Sequence, residues 1–295
     1  MTSHLHIVCV LYNQTPSEVE RLARSVSVAT DIALSVGAVD RVDLHLGNCG
    51  DPYEPDFGAH LQGIFVNSDL IELGENLGHS GGCNAVVAQL QGVGDKDPLL
   101  FVNPDSLFAP DALPPLVADL ARDDVGAVDA RQIPFEHHKA FDGKTRAQSW
   151  ASGACLGTRY EVFQAVGGFD AEHFRMYCND VDLCWRIRLK NWKVLYTPDA
   201  VVFHDKRLNG SGSMLPTSTQ DYFSTLGRLN RARRFGNQSV ERNTLRWVDS
   251  HGEASHRRAA RDFRAQAATG SAPSPLPKGP SVASFLDGDY GASRF

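Results

Sequence analysis

Four short stretches of this 295-residue chain carry residue types that do chemistry. In Phe101-Val-Asn-Pro-Asp105 a carboxylate follows an apolar run. A carboxylate on the loop after a strand is rigid and exposed, which suits a hard divalent cation bridging two phosphates. Asn-Pro-Asp is also ordinary turn chemistry. In Met176-Tyr-Cys-Asn-Asp180-Val-Asp182-Leu-Cys-Trp-Arg186, two acids open a helix predicted over Asp180–Asn191. The helix dipole favours an ionised carboxylate there, and two positions apart the acids point to different faces. Helix capping alone would explain either one. Val201-Val-Phe-His204-Asp205 ends an apolar strand in a histidine. That histidine gains a metal-binding meaning only where it meets Asp105, since histidine and carboxylate together hold Mn or Mg. In Glu75-Asn-Leu-Gly78-His-Ser-Gly-Gly82-Cys-Asn84, glycines precede a helix and can offer N–H groups to an anion such as pyrophosphate. The spacing is not G-x-G-x-x-G, so the dinucleotide fingerprint is not met.

The elements that must position these residues alternate between strand and helix. His6–Tyr12, Arg41–Leu46, Asp69–Leu73, Pro98–Val102 and Val125–Ala130 read as strands. Thr15-Pro16-Ser17-Glu18 is a capping box with proline at the first helical position, so a helix is predicted over Pro16–Ala29. Further helices fit Gly78–Gln91 and Pro110–Ala121. This alternation predicts an α/β fold with a mostly parallel central sheet and helices on both faces. Ligands of such sheets sit beyond the carboxyl ends of the strands. Tyr12-Asn13, Gly47-Asn48 and Asn103-Pro104-Asp105 all fall at strand ends of that kind.

Composition narrows the class. The chain is 42% hydrophobic with a net charge of -6, enough for a sizeable core and without a whole-molecule signal for nucleic acid. Charge is uneven, because residues 221–268 hold ten Arg against five Asp or Glu. This basic, helix-like segment is read as a solvated, membrane-facing or self-associating surface rather than a nucleic-acid site. The six cysteines form no C-x-x-C pair, and no basic leader or roughly 20-residue apolar span is visible. Those features point to a reducing cytoplasmic setting, with peripheral contact at the inner face of a membrane. Three regions follow: a catalytic domain over 1–206, a basic helical region over 207–268 and a flexible Ser/Pro-rich tail over 269–295.

The order and spacing of the motifs carry a resemblance. Val10-Leu-Tyr-Asn13, Asn76-Leu-Gly-His-Ser-Gly-Gly-Cys-Asn84, Asn103-Pro-Asp105, Gly167-Gly-Phe-Asp170 with Asn179-Asp180-x-Asp182-Leu, and Pro198–His204 follow one another over roughly residues 5–205. In this the chain resembles the family 2 glycosyltransferases of the GT-A fold, above all bacterial rhamnosyl- and galactofuranosyltransferase-like members. The resemblance implies transfer of a hexosyl group from a UDP- or dTDP-linked sugar to a hydroxyl of a glycan or lipid-linked acceptor, with inversion and with a divalent metal, Mn or Mg. Tyr12, Asn13, Asn76, Gly78, Gly82 and Asn84 would bind or shape the donor site, together with Asn103 and Asp182. Asp105 and His204 would hold the metal, helped by Lys206 or Arg207, and Asp180 would be the general base.

The chain departs from the family pattern at three positions. The acid that reads the pyrimidine is replaced by Gly47, so Asn48 or Asp51 is expected to take over. The first acid of the D-x-D motif is Asn103, and the acid before the base is Asn179. Two other readings follow from these losses and from the nucleotide-binding layout: a binding protein whose catalytic site has degenerated, and a sugar nucleotidyltransferase. The latter would want a basic glycine-rich loop where this chain has Tyr-Asn-Gln-Thr.

Overall fold

The computed structural model describes residues 4–136, 140–205 and 217–286. Four strands, β1 (His4–Leu11), β2 (Arg41–Asn48), β3 (Ser68–Glu72) and β4 (Pro98–Val102), run parallel in the spatial order β3-β2-β1-β4. Beside them lie β5 (Ser106–Phe108), β6 (Val125–Ile133), β7 (Ala147–Gln148), β8 (Cys155–Arg159) and β9 (Lys193–His204). The sheet continues as β4-β8-β6-β9-β5, with β7 pairing β9 off that path. Here the prediction of a mostly parallel sheet needs correcting. β8 is antiparallel to both β4 and β6, and β5 and β7 are antiparallel to β9, so only the β6–β9 pair in this half is parallel.

Alternate residues of β1 enter two separate cores. Leu5, Ile7, Cys9 and Leu11 face α1 (Pro16–Ser35), α2 (Phe57–Ile64) and α4 (Leu113–Leu120). Val8 and Val10 face α3 (Gly78–Val87), α5 (Tyr160–Ala165) and α6 (Asn179–Leu189). Helices thus cover both faces, as the period-2 burial of an α/β sheet requires. The capping box forms as read: the Glu18 N–H donates to Thr15 Oγ1 and the Thr15 N–H to Glu18 Oε2. The helix runs past Ala29 because Ala33 continues its buried face, and it stops at Gly37, whose φ is +67°.

The basic region folds as α7 (Ser218–Arg234), α8 (Gln238–His251) and α9 (Ala254–Thr269), packed on one another through Leu229, Val248, Ala260 and Phe263. The described part of residues 269–295 packs against the preceding region. The Leu276 N–H donates to the Arg234 carbonyl, a short α10 (Gly279–Val282) follows, and Phe285 packs edge-on against buried Trp185. Proline here rigidifies a docked segment, and the apolar Leu276, Val282 and Phe285 anchor it.

Candidate active site

A cleft of about 860 Å³ opens at the carboxyl ends of β1, β4 and β9. Tyr12 and Asn13, directly after β1, line it, as do Asn103 and Asp105 after β4. Asn13 has φ 61°, a left-handed conformation that asparagine tolerates better than most residues.

The β5–β9 ladder pairs Ser106 with His204, and the Asp205 N–H donates to the Asp105 carbonyl at 2.8 Å. This pairing brings together the two residues that sequence alone left apart: His204 Nε2 lies 3.4 Å from Asp105 Oδ1. The His204 Nδ1 faces Gln132 Oε1 at 3.3 Å, and only a protonated Nδ1 can use that acceptor. Nε2 then presents its lone pair towards Asp105. A nitrogen lone pair and a half-exposed carboxylate at this spacing fit a divalent cation, with Gln132 orienting the imidazole from behind.

Asp180 also lines the cleft, in the first turn of α6. Its Oδ2 accepts the Gly153 N–H at 3.0 Å and its Oδ1 accepts the Val181 N–H at 2.8 Å. Two backbone donors thus hold the carboxylate at the positive end of the helix dipole. The turn that delivers it is strained: Tyr177 and Cys178 are both left-handed, with φ 59°. Such non-glycine residues cost about 1–3 kcal/mol each and persist only where the surroundings enforce them. α7 does so here. A Cβ on Gly227 would lie 3.0 Å from the Tyr177 carbonyl oxygen, and Arg231 reaches Cys178 Sγ at 3.9 Å.

Several expected donor-site residues lie outside the cleft. Asp182 is fully buried, with Oδ2 on Arg186 at 2.7 Å and Oδ1 on Arg234 at 2.9 Å, so it holds the fold together rather than facing a ligand. Asn48 is buried and spends both amide hydrogens, on Glu72 Oε2 and the Asp51 carbonyl. Asn76 caps the Gly78 N–H, and the Ser80 N–H goes to the Arg175 carbonyl. The start of α3 therefore has these N–H groups engaged and does not offer them to pyrophosphate. Gly78 and Gly82 are needed for close approach: a Cβ would meet Arg175 at 2.5 Å and Val10 at 2.8 Å respectively. Asn84 exchanges two hydrogen bonds with the backbone of Phe169. Gly82 seats α3 on β1, Asn84 ties it to the Gly167–Asp170 turn, and Asn76 and Gly78 set its start against Arg175. Lys206 and Arg207 lie outside the described residues.

The sequence reading missed His79 and a short loop beside the cleft. His79 accepts a hydrogen bond on Nδ1 from Asn179 Nδ2 at 2.9 Å and packs edge-on to Phe169. Burial alone pushes its pKa down to about 4, so the ring is neutral. The Ser152–Gly153 loop supplies the donor to Asp180 and lies beside the cleft with Trp150. His79 stands inside the glycine motif at a position the motif leaves open, and the Ser152–Gly153 loop carries no motif, since each matters through its backbone or through a partner remote in sequence.

No family model matches the chain. It is 30% identical over 249 residues, 70% of this chain and 77% of the relative, to the N-acetylglucosaminyl-diphospho-decaprenol L-rhamnosyltransferase of Mycobacterium tuberculosis. Rhamnosyltransferase WbbL of Escherichia coli is 30% identical over 93 residues, 32% of this chain and 35% of that one. Among solved structures, GalNAc-T7 with UDP, GalNAc and Mn2+ overlays with a TM-score of 0.57 at 13% identity, covering 91% of this chain and 58% of that one. S. aureus TarS 1-349 gives a TM-score of 0.53 at 13% identity, covering 90% and 83%. These overlays establish the GT-A fold, and the full-length relative establishes the rest: the chain belongs to the family 2 glycosyltransferases, enzymes that use a nucleotide sugar, alongside the bacterial rhamnosyltransferases.

Proposed function

We propose that this enzyme is an inverting, metal-dependent rhamnosyltransferase that takes its sugar from a nucleotide diphosphate and delivers it to a hydroxyl of a lipid-linked glycan. The observation that carries this reading is the meeting of Asp105 with His204 in the cleft that also holds Asp180. The choice of sugar and acceptor rests on the name of the mycobacterial relative.

A divalent cation held by Asp105 and His204 would offset the charge that grows on the leaving diphosphate. Asp180 accepts the proton of the acceptor hydroxyl as its oxygen bonds to the anomeric carbon. The bond from that carbon to the diphosphate breaks in the same displacement, which inverts the centre. General-base help of this kind contributes about 10²–10⁴-fold. The backbone donors from Gly153 and Val181 fix the position of the carboxylate.

The test is transfer from dTDP-rhamnose and UDP-sugars to a short-chain N-acetylglucosaminyl-diphospho lipid, with manganese and then with EDTA. Rhamnosyl transfer with inverted configuration, lost with chelator, is expected. Asp180→Asn should lower kcat by about 10²-fold or more with donor affinity unchanged. Asp182→Asn should act through stability. Turnover equal in both metal conditions would remove the metal from the reading, and near-native turnover by Asp180→Asn would remove the base.

A further inference from the structure

The opposite end of the sheet carries a second polar cluster. His4 and His6 stand two apart on β1, so they share a face, with ring centroids 4.0 Å apart. The ladder sets Asp43 of β2 beside His6, and Asp69 of β3 beside His45 of β2. Asp97 lies just ahead of β4. His6 is only 1% exposed.

The hydrogen bonds admit one arrangement that leaves a ligand nitrogen. Asp69 Oδ1 accepts from His45 Nδ1 at 2.8 Å, and in the tautomer with the proton there His45 Nε2 is an acceptor. His6 Nδ1, 3.1 Å from that Nε2, is then the donor. His6 Nε2 is then a lone pair. It is buried, has no hydrogen-bond partner, and lies 3.9 Å from Asp97 Oδ2. His4 Nε2 donates to Asp43 Oδ2 at 2.8 Å, and Arg41 Nε holds the other oxygen of Asp43 at 2.7 Å. In the tautomer with the proton on Nε2, Nδ1 is the His4 nitrogen open to a ligand. Two acceptors facing each other inside a protein repel unless a cation or a proton lies between them. One ring nitrogen each of His4 and His6 and a carboxylate oxygen of Asp97 fall within 4.8 Å of one another.

The geometry assigns to His4, His6 and Asp97 a structural site for a borderline divalent cation, zinc first, that ties β1 to the loop ahead of β4. Two imidazoles and one carboxylate suit zinc, nickel or copper better than magnesium or manganese. Donors about 2.1 Å from a tetrahedral zinc sit roughly 3.4 Å apart, so the 3.9 Å gap from His6 to Asp97 closes by about half an ångström. Each imidazole is backed through its other nitrogen, His4 by Asp43 and His6 by His45 and Asp69, which fixes the tautomer and strengthens the ligand. His6, Asp43 and His45 also lie close together, but a proton already fills the contact between the two rings there. Asp97 Oδ2 also accepts the Gly94 N–H at 2.7 Å, which holds the loop in place for the cation. Six residues of extended strand separate His6 from Tyr12, roughly 20 Å, so the site is remote from sugar transfer.

The full chain without a histidine tag, stripped with chelator and dialysed, is titrated with zinc and separately with cobalt(II). The expected result is one strong equivalent, a cobalt d–d absorption band and a raised Tm. All three should persist in Asp105→Asn, which removes the proposed donor-metal ligand, and fall at least tenfold in affinity in both His6→Gln and Asp97→Asn. Asp97→Asn keeps an acceptor for the Gly94 N–H, so it tests the ligand even where His6→Gln fails to fold. Its transfer rate at saturating donor should stay within about twofold of wild type. No strong equivalent in the wild type, or undiminished zinc and cobalt binding by folded Asp97→Asn, overturns the assignment. So does loss of the same equivalent in Asp105→Asn.

Discussion

At the scale of single residues, the departures from the family pattern have local causes. Gly47 cannot bear an acid because a Cβ there would lie 2.5 Å from Val86 of α3. Asn179 stands beside a desolvated His79 and donates to its bare Nδ1. An acid at 179 would instead draw a proton onto the imidazole. The pair is therefore matched as neutral and neutral, which gives a pH prediction. With a folded pKa of about 4, below the ordinary 6.5, His79 binds fewer protons folded than unfolded between those values. Its contribution to stability is complete above pH 6.5 and is lost as pH falls towards 4, by up to about 1.4 kcal/mol per unit. Urea melts at pH 7 and pH 5 should show a larger loss for the wild type than for His79→Gln. Equal losses would show that His79 is not held neutral by the fold.

At the scale of elements, strand and helix positions were largely legible, because hydrophobic period and capping chemistry are local. β4 begins and ends where its apolar run does, and the capping box of α1 sits where Thr15 and Glu18 put it. The short strands β5, β7 and β8 were not read as strands at all, and the antiparallel insertion of β8 between β4 and β6 was not legible, since no local pattern states which strand a run will pair with. The glycine turn was read as offering N–H groups to an anion, but the Gly78 and Ser80 N–H groups are engaged by Asn76 and Arg175, and the glycines make room for neighbouring protein atoms. Asp105 and His204 were legible as candidates, and only the β5–β9 ladder puts them in contact. Arg234 was legible only as part of a charge run. It is nearly buried in α7 and reaches both Asp182 and Asp170, holding the Asp170 carboxylate well below the usual range with help from His173. Arg234→Met would leave Asp182 buried with Arg186 alone, an expected loss of about 3–5 kcal/mol. Chemical denaturation checks this, and a loss below about 1 kcal/mol would mean that α7 is not clamped to α6 through this pair.

For the whole molecule, the basic region divides in two. Arg231 and Arg234 are buried and belong to the core, while Arg242, Arg246, Arg257, Arg258 and Arg261 remain exposed, with half-exposed Trp247 between them on α8. No helix among the described residues is long and apolar enough to cross a membrane. We propose that this exposed arginine surface meets an anionic bilayer, where each arginine near the lipid is worth about 1 kcal/mol. The full chain should sediment with phosphatidylglycerol vesicles at low salt and be released at high salt. Arg242→Glu with Arg246→Glu should weaken that binding tenfold or more. Equal sedimentation by the double variant would assign the surface to another task, such as contact between subunits. Removing the region outright cannot answer the question, because it would also remove Arg231 and Arg234.

The left-handed Tyr177–Cys178 turn is held from behind by Gly227, some fifty residues further along the chain. During synthesis, a chain released only as far as β9 would have every strand of the sheet and all the cleft residues of the first 205 positions. It would lack the helix that forces the turn into place, and with it the setting of Asp180. With Asp180 as the proposed base, a chain that stops after β9 is expected to show no sugar transfer even where its sheet has formed, and a transfer assay on such a chain checks this.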